Sequence, residues 1–149
     1  MPIMGVTRFE RFFRSAGGLT VDKDDLKRYS EFIQTKVYDL LVIAQATARA
    51  NDRGMMEPWD LPLTKGLQES MHRFRKLEEE IELTPILEQL ALLPQLDVEI
   101  GDDVRSRLPA VVGGLSLALA ATLKIIGPGL KAPHAEQWET AFRIFDTLL

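Results

Sequence analysis

Residues 48–62 have the sequence ARANDRGMMEPWDLP, which is typical of a helix end followed by a turn. Gly54 and the polar residues before it end the helix, and Pro58 opens the turn. Arg53 and Asp60 stand seven residues apart across this loop, with two methionines between them. What this arrangement means depends on the helices on either side of it.

The first part of the chain predicts a short helix. Apolar residues at steps of three and four predict an amphipathic helix over 5–16. Gly17-Gly18 ends it, because glycine readily adopts the left-handed conformation of a helix cap. Three basic residues lie together on the polar face of this helix: Arg8, Arg11 and Arg14.

A long helix and a third helix follow. Asp22 is the expected N-cap of a helix over 23–51, with further aspartates in the first turn, where negative charge suits the helix dipole. Its length of roughly 28 residues exceeds the usual 11–12. After the 48–62 loop, an apolar stripe predicts a third helix over 60–80.

The second half repeats this plan. A short helix is expected over 84–93, a long apolar one over 103–126 and a last one over 133–149. Pro109 should kink the long helix or move its start. The apolar run 115–126 contains a lysine and is too short to span a bilayer, so it favours a buried helix. The order short, long, short therefore occurs twice, as an internal repeat of pattern.

Composition narrows the function. The 149 residues suit one compact domain, and 46% of them are hydrophobic. The chain has no cysteine, which excludes disulfides and favours a reducing compartment. Without a signal-peptide pattern at the N-terminus, we expect a cytoplasmic protein. The net charge of −4 argues against a strongly nucleic-acid-binding chain. All of this net charge falls in residues 81–149, since 1–80 are neutral overall.

The first half resembles archaeal histones. RFFRSAGGLTV (11–21) is similar to their first helix and loop, and DDLKRYSEFIQTKVYDLLVIAQATARANDRG (24–54) is similar to their central helix. Arg53 and Asp60 have the spacing of the family's clamp, in which an arginine at the end of the central helix pairs with the aspartate that starts the third helix. A paired, partly buried charge couple fixes the geometry of such a loop.

The whole chain resembles a small bacterial family of histone-fold proteins of unknown function. The resemblance implies an all-α fold of two tandem histone folds, 1–80 and a degenerate copy over 81–149, paired intramolecularly as a pseudo-dimer within one compact domain. The two long helices would cross in the centre. Short β-like bridges are expected to join 55–56 with 97–100, and 19–21 with 130–132.

Departures from archaeal histones bear on function. Gly54 and Met55 stand where the family has a basic residue and a threonine that touch phosphates, and Thr20 replaces an arginine. Arg11 matches the arginine that enters the DNA minor groove, and Arg14 matches a neighbouring basic residue. The second half has no clamp and no basic residue in its first helix. One half therefore keeps part of a DNA surface and the other keeps none.

Each remaining motif has a structural alternative. The clamp is interpreted as a structural ion pair rather than a DNA-surface element. The arginine face is either a phosphate-binding stripe or a solvated helix face. The two histidines, His72 and His134, lack ligand spacing, and the glycine pair at 113–114 is expected to let two helices cross closely. No catalytic constellation is recognisable, so we expect no enzyme and no cofactor or metal.

Three functions remain open. The protein is a weak, non-sequence-specific DNA-binding protein of histone type, an interaction module that binds protein partners, or a structural relic with another role. Arg8, Arg11 and Arg14 are the candidate DNA-binding residues. The acidic second half and the lost loop contacts favour the interaction module, with at most weak DNA binding. Either a monomer or a homo-oligomer without membrane contact fits the sequence.

Overall fold

A computed structural model describes residues 6–81 and 95–149. The chain is mostly helical in these ranges, with one small parallel sheet. The elements in chain order are α1 (Val6–Gly17), α2 (Lys23–Ala50), β1 (Met55–Met56), a 3-10 turn (Pro58–Asp60), α3 (Lys65–Ile81), β2 (Glu99–Ile100), α4 (Asp102–Ile126) and α5 (Ala135–Leu148). The short helix expected over 84–93 lies outside the described residues.

The glycine pair at 17–18 ends α1 as predicted. Gly18 has a φ of +64°, the left-handed conformation that a side chain would strain. Its N–H donates to the carbonyl of Arg14 at 2.8 Å, and the N–H of Leu19 donates to the carbonyl of Phe13 at 3.1 Å. These two bonds satisfy carbonyls at the helix end and turn the chain sharply toward α2.

The N-cap expected at Asp22 is present. Asp22 Oδ1 accepts from the N–H of Asp25 at 2.8 Å, and Asp25 Oδ2 accepts from the N–H of Asp22 at 3.1 Å. This reciprocal pair satisfies two backbone donors that would otherwise lack partners. The bounds of α2 accordingly agree with the predicted helix to one residue at its C-terminal end.

The third helix begins later than predicted. We expected it from residue 60, but Asp60 lies in the 3-10 turn and α3 begins at Lys65. Pro62 explains the difference, because the residue before a proline disfavours the helical conformation and Leu61 is extended. Thr64 then caps the helix, its Oγ1 accepting from the N–H of Leu67 at 3.2 Å.

The second long helix, α4, packs closely against α3. Pro109 lies inside α4, so the expectation that it moves the helix start is wrong. The crossing expected at the glycine pair is confirmed. A Cβ at Gly113 would collide with the ring of Phe74, and one at Gly114 would collide with Met71. Only glycine lets the two backbones come this close.

Most of α4 is buried, as the apolar run predicted. Within the described ranges it is the one helix long and apolar enough to cross a membrane, by length and composition alone. Of its most apolar window, 61% is buried inside the structure, and core helices of soluble proteins pass the same test. The hydroxyls of Ser116 on α4 and Tyr29 on α2 share a hydrogen bond of 2.6 Å.

Two backbone bridges join the loops, in the places predicted. β1 pairs in parallel with β2, Met55 opposite Glu99 and Met56 opposite Ile100. At the other loop pair the N–H of Thr20 donates to the carbonyl of Lys131 at 2.6 Å. Each bridge joins a loop before one long helix to a loop after the other. The two long helices α2 and α4 therefore run in opposite directions.

Candidate functional site

The Arg53–Asp60 clamp forms a bidentate ion pair. Arg53 Nη1 donates to Asp60 Oδ2 at 2.7 Å, and Nη2 donates to Oδ1 at 2.6 Å. Asp60 Oδ2 also accepts from the backbone N–H of Glu57 at 2.8 Å. One carboxylate thus holds the end of α2 and the 3-10 turn together. Asp60 does this from within the turn rather than from the start of α3.

The carboxylate of this ion pair is buried. The side chain of Asp60 is 0% exposed, whereas that of Arg53 is 29% exposed. The hydrogen bonds from Arg53 hold the pKa of Asp60 below its usual range, against the opposing effect of burial. The same pair raises the pKa of Arg53. Trp59 lies over the guanidinium, with its ring centroid 5.9 Å from Arg53 Cζ. This geometry supports a structural role for the clamp.

The three candidate DNA-binding residues lie on α1 and not beside the clamp. Arg8, Arg11 and Arg14 are all exposed, opposite the buried face of the helix. The buried face carries Phe9, Phe12 and Phe13. Three guanidinium groups on one exposed helix face can meet the phosphates of an extended polyanion. The amphipathic pattern placed them correctly on the solvent side.

The structure adds residues from the second half to this basic surface. Lys124 Nζ lies 4.0 Å from the position of a Cβ on Gly18, and the Thr20–Lys131 bridge brings Lys131 to the same loop. Together with Arg14, which bonds Gly18 through its carbonyl, these residues form what we call the basic corner: Arg14, Gly18, Thr20, Lys124 and Lys131. The resemblance assigned no basic residue of 81–149 to such a surface.

The opposite loop pair is acidic. Four carboxylates surround the β1–β2 bridge and form the acidic end: Glu57, Glu99, Asp102 and Asp103. They line a shallow cleft of about 340 Å³ with Met55, Gly101 and Arg105. Two nearby arginines are paired, Arg53 with Asp60 and Arg49 with Asp97 at 2.7 Å. Arg105 in the cleft lining offsets only one of the four carboxylates. This end offers no attraction to a phosphate backbone.

Two polar contacts that involve buried side chains do not follow from the sequence pattern. Lys36 is buried on α2, and its Nζ lies 2.8 Å from Asp146 Oδ1 on α5 and 3.5 Å from Asp39 Oδ2. The second is the Tyr29–Ser116 hydrogen bond. A lysine in an apolar stripe gives no signal of its distant partner, so neither contact follows from local pattern. Both tie α2 to helices of the second half.

The two histidines are separate in the structure. His72 lies on the exposed side of α3, and His134 precedes α5, where its N–H donates to Gln137 Oε1 at 2.7 Å. Among residues 6–81 and 95–149, no group of three or more histidines and carboxylates could hold a metal ion. We find no arrangement of nucleophile and base in the described ranges to which a reaction can be assigned.

Comparison with known proteins places the chain among relatives of the same size and shape. Two proteins of Aquifex aeolicus (strain VF5), each named only as an uncharacterized protein, are similar. The first is 26% identical over 142 residues, 95% of this chain and 82% of its own length. The second is 27% identical over an alignment of 164 residues, covering 98% and 92%.

Two solved structures are similar to this chain over nearly its whole length. A crystal structure of a protein from Thermus thermophilus has a TM-score of 0.87 and 48% identity, covering 99% of each chain. A 1.9 Å crystal structure of an Aquifex aeolicus protein has a TM-score of 0.86 and 25% identity, covering 100% of this chain and 98% of the other. A family model described as a domain of unknown function, DUF1931, matches residues 9–146. The protein therefore belongs to the DUF1931 family.

Proposed function

We propose that the protein is a non-catalytic interaction module built as an intramolecular histone pseudo-dimer, with weak, non-sequence-specific binding to duplex DNA. Residues 1–80 and 81–149 would each supply one histone-like unit. The antiparallel long helices, the two loop bridges and the Arg53–Asp60 clamp support this interpretation. Fold likeness alone does not assign a function, so the DNA contact rests on the surface.

One observation carries the DNA contact, namely the exposed arginine face of α1. Arg8, Arg11 and Arg14 all face solvent on the side opposite the core. A few such cations neutralise only a few phosphates, so affinity should be modest and should fall steeply with salt. These properties fit occasional contact with DNA better than packaging of it.

A protein partner is the second candidate. Two large apolar side chains of the 48–62 loop are exposed, Trp59 to 73% and Met55 to 41%. Tryptophan and arginine dominate the energetically important positions of protein interfaces, and here Trp59 lies over Arg53. A second possibility on the DNA side is a dedicated nucleoid-associated protein, which the same arginine face would favour. The strength of DNA binding separates these possibilities.

The test is a fluorescence anisotropy titration with a short labelled duplex between about 50 and 200 mM salt. We expect binding at the low end that weakens strongly toward the high end. Arg11→Gln with Arg14→Gln should abolish it. Arg107→Gln with Arg143→Gln removes the same charge from exposed sites on other helices and should leave most binding intact. No binding by the unaltered protein at low salt would overturn the DNA contact.

A further inference from the structure

Three helices line an apolar cleft of about 360 Å³. This volume lies in the lower part of the range for small-molecule sites, about 300–1,000 Å³. Its walls are largely apolar, with side chains from α3, α4 and α5: Leu67, Ala118, Ile144, Phe145 and Leu148. None of the described residues that line it has a charged side chain. The cleft therefore suits an apolar, uncharged occupant.

Small residues create the space between α3 and α4. The glycine pair at 113–114 brings the two helices into close contact. Ala118 and Ala121 follow Gly114 at helical spacing, so they continue the same face of α4. Nearer the start of α3, an added Cβ on Gly66 would meet nothing within 4 Å. The helices thus stay near each other where their side chains are short, and this leaves room for a ligand.

A buried hydroxyl inside this cleft lacks a hydrogen bond. Ser70 on α3 lines the cleft and is 5% exposed. On the α4 side, the hydroxyl of Thr122 donates to the carbonyl of Ala118 at 2.8 Å. The Ser70 hydroxyl forms no such bond with any residue of the described ranges. Buried polar groups in proteins nearly always have a partner, and a ligand oxygen in the cleft would supply the missing one.

The mouth of the cleft exposes apolar surface. Leu148 is 71% exposed, and Ala121 beside the cleft is exposed as well. Removal of such surface from water favours binding. Because Leu148 and Ser70 line the same cleft, one ligand can cover the first with an aliphatic chain and bond the second with an oxygen.

We propose that this cleft binds a small neutral molecule that has an aliphatic chain and one hydroxyl or carbonyl oxygen. The oxygen would bond the hydroxyl of Ser70, and the chain would lie against Leu67, Ile144 and Leu148. The site shares no residue with the arginine face of α1, so it does not depend on the DNA contact. It adds a ligand-binding role to the proposed interaction module.

The probe is 1-octanol, added to protein with ¹³C-labelled methyl groups and followed by ¹H–¹³C NMR. We expect saturable shifts that are largest at Leu67, Ile144 and Leu148. Ala121→Leu fills the mouth of the cleft from an exposed position and should weaken octanol binding severalfold. Ala46→Leu adds the same side chain at an exposed site of α2 and is the matched control, with unchanged binding.

Two further comparisons test the polar end of the ligand. Ser70→Ala removes one hydrogen bond, so affinity for octanol should fall by about 2–10-fold. Ser106→Ala, at an exposed site of α4, is its control and should leave affinity unchanged. Octanoate has a similar chain but carries a charge that would lose its water near the buried Ser70. It should therefore bind more weakly than octanol.

Each alternative outcome overturns the inference. No methyl shifts up to the solubility limit of octanol would show that the cleft takes no such ligand. Binding that is unchanged in Ala121→Leu would place octanol elsewhere, and unchanged binding in Ser70→Ala would remove the role of the hydroxyl. Equal affinity for octanoate would contradict a site for neutral molecules. Shifts of the same methyl groups with protein concentration alone would assign the cleft to a second copy of the chain.

Discussion

Arg53 and Asp60 are joined by two hydrogen bonds of 2.7 and 2.6 Å, and the carboxylate has no exposed surface. Asp60 also accepts the N–H of Glu57, so its oxygens receive three donors. A buried carboxylate with these partners is stable only while the partners remain. The shape of the loop after α2 therefore depends on this pair as well as on the β1–β2 bridge.

Removal of the Arg53 side chain should lower the stability of the fold. Arg53→Ala leaves the buried Asp60 carboxylate without its charged partner, so we expect the melting temperature to fall by several degrees. Arg49→Ala is the matched control. It breaks the Arg49–Asp97 pair, in which both side chains are at least half exposed, and should change the melt little. Equal melts for the two variants would contradict a structural clamp.

Acid should weaken the protein through Asp60. The pKa of this carboxyl is lower in the folded state than in the unfolded chain, where it is about 3.9. Between the two values the unfolded state binds more protons, so this contribution is complete above the unfolded pKa and is lost as pH falls through the folded one.

Urea unfolding from about pH 5 downward measures this effect. As the pH is lowered, the free energy of unfolding should fall less steeply in the Asp60→Asn variant than in the unaltered protein. Asp25, whose pKa burial raises, is present in both proteins and does not affect the difference between them. Identical slopes would show that the Asp60 carboxyl titrates alike in the folded and unfolded states.

The α3–α4 crossing should reject a single methyl group. Gly113→Ala would drive a Cβ into the ring of Phe74, and overpacking of this kind costs about 1–3 kcal/mol. Gly66→Ala on α3 is the control, because its Cβ would meet nothing within 4 Å. That variant should be more stable by about 0.4–1 kcal/mol. Chemical denaturation measures the change in unfolding free energy for both variants. An increase in stability of the Gly113→Ala variant would refute the close packing.

Removal of the Tyr29 hydroxyl and removal of the Ser116 hydroxyl should lower the free energy of unfolding by different amounts. Tyr29→Phe leaves Ser116 Oγ donating to the carbonyl of Val112 at 2.7 Å, so the loss should be about 1 kcal/mol. Ser116→Ala leaves a fully buried tyrosine hydroxyl without this partner and should cost about 1–3 kcal/mol. Urea unfolding of both variants tests the order. The reverse order would place the hydroxyl of Tyr29 in another contact.

Sequence pattern located the local features and missed the distant ones. Asp22 and Gly18 were predicted because a cap and a left-handed turn depend on a few neighbouring residues. The start of α3 differs from the predicted one because Pro62 keeps the preceding residue extended, an effect that apolar periodicity does not contain. The pairing of loops 19–21 and 130–132 is predicted from the resemblance, and the hydrogen bond from Thr20 to Lys131 confirms it.

Tertiary contacts account for the remaining gap. Lys124 belongs to the basic corner only because α4 runs antiparallel to α2 and ends beside Gly18. Lys36 and Asp146 are 110 residues apart in sequence and meet only in the folded chain. Helical periodicity identifies which face of a helix is buried, but it does not say which residues of another helix lie opposite.

The most direct measurement is a ¹H–¹⁵N NMR titration of the protein with short duplex DNA at low salt. Binding through the arginine face of α1 predicts that amide shifts concentrate at Arg8, Arg11 and Arg14, with the β1–β2 bridge unchanged. Shifts centred on Met55–Met56 and Glu99–Ile100, or no shifts at all, would contradict the account.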